Sequence, residues 1–108
     1  MAYSNSYKLP WHIRQYVKQE LLDYKRNKQL LNGFNVSTRT LLLAEKRIKS
    51  IENVLDSLNE EDREVADIIF MEQYSQAGAE VAHAITKAMY YNCMNKVIYL
   101  TAKELELI

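Results

Sequence analysis

Residues 58–102 read LNEEDREVADIIFMEQYSQAGAEVAHAITKAMYYNCMNKVIYLTA, and this stretch decides the fold. It opens on the acidic run Asn59-Glu60-Glu61-Asp62 and passes through an apolar helical turn at Val65, Ile68, Ile69 and Phe70. A break follows near Tyr74–Gly78. Beyond it, one short helical piece carries Val81 and Ala82, and a longer one begins near Thr86 and carries Tyr90, Tyr91, Cys93, Val97, Leu100 and Leu105. Three helices with a tight turn before the last form a helix-turn-helix layout, the arrangement that places a third helix in the major groove of DNA. The same spacing also suits a small bundle whose last helix only packs.

Local signals support the element starts. Asn59 is an N-cap residue, Asp62 three positions on can reach back to it in the manner of a capping box, and the three acidic residues suit the positive end of a helix dipole. The acidic run thus has a structural explanation without a metal. Ser75 or Gln76 starts the second helix of the unit, and Ala77, Gly78 and Ala82 are small enough for a close helix crossing.

Working outward toward the N-terminus, the clearest pattern is Leu41, Ala44, Ile48, Ile51, Leu55 and Leu58, whose alternating spacing of three and four is a coiled-coil seam. Ser37 or Thr40 would cap this helix, after a short connection over Phe34–Ser37. Before it, Pro10 suits a first helical turn and Asn32-Gly33 a helix end. Between them Ile13, Tyr16, Val17, Leu21, Tyr24 and Leu31 form an apolar face, with Arg14, Lys18, Lys25, Arg26 and Lys28 on the other side. That cationic face is either solvated or laid along phosphates. Two such helices with a short link predict an antiparallel hairpin, although the seam could instead pair two chains as a homodimer. Residues 1–8 read as a loose arm.

Composition agrees. A chain of 108 residues with two glycines, one proline and 48% hydrophobic residues is expected to form one all-α domain, with an N-terminal antiparallel helical hairpin over 9–58 and a helix-turn-helix-like unit of three helices over 59–108. Cys93 stands alone, which suits a reducing cytoplasm and a small buried hydrophobe rather than a nucleophile. No leader-like or membrane-length apolar segment is present. His12 and His83 lack partners at metal or triad spacing, Gly33 and Gly78 are isolated, and Glu60/Glu64 and Glu104/Glu106 read as solvated charge. No enzyme, cofactor or metal is expected.

The words Leu58-x-Glu-Glu-Asp, Ile68-Ile69-Phe70, Val81-Ala82-His83 and Tyr90-Tyr91 with Asn95-Lys96 resemble the C-terminal half of the phage late transcriptional regulators of the ArpU and RinA families. Upstream, Leu9-Pro10-x-x-Ile13 with Tyr24-Lys25 and the span 41–58 are similar to the first two helices of those proteins. The resemblance implies a sigma-factor-like helix-turn-helix that binds promoter double-stranded DNA in a bacterial host's cytoplasm, with host RNA polymerase as a partner. It assigns DNA binding to Thr86, Lys87, Tyr91, Asn92, Asn95 and Lys96. Asparagine can read adenine and lysine can reach guanine or phosphate.

Two departures oppose a simple DNA-binding reading. Only His83 and Ala84 separate Ala82 from Ile85, a shorter turn than in the relatives, which would alter the helix crossing. Charge is also polarised: residues 59–108 hold four cations and nine anions, the other half ten and five, for a net zero. The alternative is a helical interaction protein with a degenerate helix-turn-helix that modulates a host protein.

Overall fold

The computed structural model describes residues 8–33 and 38–108, and at 30–33 and 38–41 the backbone alone. The fold is all-α. Helix α1 spans Trp11–Gly33, α2 Thr38–Ser57 and α3 Glu60–Ala66, which runs on into a π-helical turn over Asp67–Met71. Helix α4 is Gln76–His83 and α5 is Lys87–Glu104. The expected loose arm, the 34–37 connection and the Ser37 cap fall outside the described residues, except that Lys8 is exposed.

The seam of α2 packs as its spacing requires. Ile48, Ile51 and Leu55 are buried, joined by Val54 one position off the strict repeat. That extra residue has a reason: α2 packs on α5 as well as on α1, so its apolar face must be wider than a two-helix seam. On α1, Val17 and Leu21 are fully buried, whereas Tyr16 turns out to the surface, contrary to its place in the periodic pattern. Polar ties join α1 to α2. Tyr24 donates to Glu52 at 2.7 Å, Lys28 donates to the same carboxylate at 2.7 Å, and Arg47 pairs with Glu20 at 3.6 Å. The Lys28 and Tyr24 hydrogen bonds hold the Glu52 carboxyl below its ordinary range.

Helix α5 is the hub, in contact with α1, α2, α3 and α4. Its sequence is apolar around much of its circumference, which suits a helix enclosed by neighbours. Tyr90, Cys93, Met94, Val97, Ile98, Thr101 and Ala102 are all buried. Met94, although it lies in sequence between the expected contact residues Asn92 and Asn95, belongs to the core.

The caps explain where the C-terminal helices begin. Asn59 accepts from the Asp62 amide at 2.8 Å, Ser75 from Gly78 at 3.1 Å and Thr86 from Met89 at 3.1 Å. Asp62 does not return the favour to Asn59, since its carboxylate accepts from Lys96 at 2.8 Å. The break falls slightly earlier than expected, because the π-helical turn ends at Met71 and Gln73 takes the left-handed conformation at φ 58°. The Gln73 side chain then donates to the Leu22 carbonyl at 2.8 Å, and Tyr90 donates to the Tyr74 carbonyl at 2.8 Å, pinning this corner to α1 and α5.

Two substitutions test this packing. Ile48→Asp puts an unpaired charge among apolar side chains and is expected to cost about 3–5 kcal/mol, enough to unfold a domain of this size. A variant with the parent's circular dichroism and melting temperature would contradict the seam. Thr101, at 0% exposure, has a hydroxyl with no hydrogen-bond partner among the described residues. Thr101→Val keeps the shape and removes the desolvated hydroxyl, so it should raise stability by about 1 kcal/mol in denaturant titration.

Candidate nucleic-acid interface

Helix α4, the three residues Ala84-Ile85-Thr86 and α5 are the segments that the sequence reading takes as a helix-turn-helix. The turn is short because Ala84 adopts the left-handed conformation, φ 55° and ψ 32°, where glycine is the usual occupant. Ile85 then drops into the core at 4% exposure, and Thr86 caps α5. Few residues between Ala82 and Ile85 are thus enough to close the turn. The close approach of α4 comes from Ala79, which is fully buried, and not from Ala77 or Ala82, which are exposed. Val81 is 89% exposed, so the Val-Ala pair faces outward.

The six expected contact residues do not form one surface. Thr86 is taken up by capping. Lys87, Tyr91 and Asn95 share one depression with Arg14 of α1. Asn92 and Lys96 lie on the other flank, in a depression walled by Glu61, Asp62, Val65 and Met89, with Cys93 at its base. Lys96 is committed there to Asp62, with side chains only 34% and 27% exposed. Acidic α3 therefore borders one edge of the outward arc of α5, and basic α1 borders the other.

Arg14 is the contributor that the sequence reading left out of the site. Its guanidinium points at the Met94 sulfur, 3.8 Å away, which aims a cation across α1 at α5. The signal was present in the spacing. Arg14 precedes the buried Val17 by three positions and Leu21 by seven, so it lies on the core-facing stripe rather than on the solvated face. Two other cations of α1 differ: Lys28 pairs with Glu52, and Arg26 pairs with Asp23 at 3.3 Å.

No known family, curated protein or solved structure matches this chain. Its surface chemistry must carry the functional argument. Among the described residues no cluster of His, Cys, Asp or Glu could hold a metal ion, and no helix is long and apolar enough to cross a membrane. His12 and His83 are both exposed, and the His83 ring packs edge-on against Tyr74 at 4.8 Å.

Cys93 is buried, and its thiol donates toward the Asp62 carbonyl at 3.4 Å. Burial, with the Asp62 charge beside it, pushes the thiol from 9.0 up to about 12. It is a packed side chain with little thiolate near neutral pH. The unfolded chain loses this proton above pH 9 while the folded chain keeps it, so stability is whole below pH 9 and falls as pH rises toward 12. The slope from this group is at most about 1.4 kcal/mol per pH unit. Urea midpoints should decline over that window and less steeply in Cys93→Ala; identical slopes for both proteins would contradict the assignment.

Proposed function

We propose that this protein is a phage-type transcriptional regulator that binds promoter double-stranded DNA through the α1-facing side of α5. One observation carries the reading. Helix α5 has one half locked into the core while its N-terminal half presents Lys87, Tyr91 and Asn95 beside Arg14, behind a three-residue turn from α4. That is the part of a recognition helix that meets base edges. The phage-type part of this reading rests on the sequence resemblance to the ArpU and RinA regulators alone.

Charge limits the affinity. Lys87 and Arg14 can neutralise only about two phosphates, which by counterion release gives a log–log salt slope of about −2 per monomer. A tight complex then calls for a homodimer on two half-sites or for host RNA polymerase as a second contact.

A second reading has its own observation. Glu64, Asp67 and Glu72 surround Ile68, Met71 and His83 in a groove between the α3 segment and α4, a surface suited to a protein partner rather than to phosphate. Fluorescence anisotropy of the full chain on mixed-sequence 30-bp duplexes, at salt from about 50 to 200 mM, distinguishes the two. The expected result is retention at low salt with the slope above, reduced by about one unit in Lys87→Ala. No retention at low salt would favour the protein-partner reading.

A further inference from the structure

Around α5, successive residues advance by about 100°. The outward arc runs from Lys87 and Tyr91 at the α1 edge to Asn92 and Lys96 at the α3 edge. Asn95 and Ala88, both half-buried, fall in the middle of this arc, some 20° apart in rotation. They are the residues that a groove would meet head-on. The cations sit at the edges, Lys87 and Arg14 on one side and the Asp62-bound Lys96 on the other. Helix α5 carries no arginine, and Lys87 and Lys96 stand at the edges of the arc, so its centre lacks the side chains that read guanine by two hydrogen bonds.

We infer that this protein selects A·T pairs, with Asn95 as the specificity residue reading adenine and Ala88 seated against a thymine methyl group. The inference rests on the DNA-binding reading above and adds the identity of the bases. An asparagine amide donates to adenine N7 and accepts from its N6 amino group, a match no other base offers in the major groove. A small apolar side chain fits the thymine methyl. Asn92 has the same chemistry as Asn95 but stands beside Glu61 and Asp62, whose charge disfavours the approach of a phosphate strand on that side. Along the helix axis, the seven residues from Ala88 to Asn95 span about 10 Å. At about 3.4 Å per base pair, the two contacts fall roughly three base pairs apart. Lys87 and Arg14 then hold the backbone at the α1 edge without choosing a sequence.

Selection of bound sequences from duplexes with a randomised centre tests this, using the full-length parent and the variants Asn95→Ala, Asn95→Asp and Asn92→Ala. The parent is expected to yield a half-site with an adenine constrained at one position and a thymine about three base pairs away. Asn95→Ala should relax the adenine position by roughly tenfold or more, while Asn92→Ala leaves it intact. Asn95→Asp should shift the preference at that position from adenine toward cytosine, whose amino group a carboxylate accepts, a gain that a misfolded variant cannot produce. Replacing thymine by deoxyuridine in the selected site should weaken binding by removing the methyl group that Ala88 contacts. Selection of guanine-cytosine pairs, no preference in the parent, or relaxation in Asn92→Ala alone would overturn the assignment while leaving DNA binding in place. A parent that retains no duplex would overturn the DNA-binding reading itself.

Discussion

Burial of the inner arc of α5 sets everything else in the molecule. Val97, Ile98 and Ala102 are sealed at 0–1% exposure, and each large aliphatic side chain of this kind contributes about 1.5–3 kcal/mol when removed from water. A helix held this way cannot roll. Turning it by one residue would expose the core arc and bury Lys87 and Asn95, so the rotation of the outward arc is fixed by the same contacts that fix the fold. The backbone behind the surface proposed to meet DNA is therefore held by the same contacts as the interior. Precise presentation needs no dedicated support when one helix supplies both faces.

Charge gains a different meaning once the chain is folded. Along the sequence the basic half and the acidic half stand apart, which argues against a nucleic-acid surface in the second half. In space, α1 lies against α5 and delivers Arg14 to the flank of Lys87, while α3 keeps its carboxylates on the opposite flank. A chain-level charge count sums these two edges and hides the contrast between them. The contrast itself carries information, because an acidic edge and a basic edge let an anionic rod settle on one side only.

The readable parts of the sequence were those with a single periodic partner or a local hydrogen bond. The stripe of Ile48, Ile51 and Leu55 announces α2, and Asn59, Ser75 and Thr86 cap the helices that follow because a cap depends only on residues three positions away. Scarcity of glycine and proline gave the all-α class. Long-range choices were not readable. Asp62 could face either its own cap or Lys96 thirty-four residues on, and nothing local decides between them. Helix α5 has apolar residues on so many sides that periodicity could not separate Met94 from Asn95. The turn before it was hard to judge because an alanine holds the left-handed position that a glycine would have advertised.

The π-helical turn at Asp67–Met71 has a consequence for how such a chain can change. Its widened ring, closed by the Glu72 amide on the Asp67 carbonyl at 2.9 Å, accommodates one residue more than an α-helical path of the same length. Losing a single codon here would let the segment relax to ordinary α geometry, with the Gln73 anchor on Leu22 and the downstream helices still within reach of their places. The same loss inside α5 would rotate every later side chain by about 100° and scramble the core. Length variation among descendants of this sequence should therefore collect at the α3–α4 corner, where the backbone already holds a spare residue, and be purged from the helix that follows.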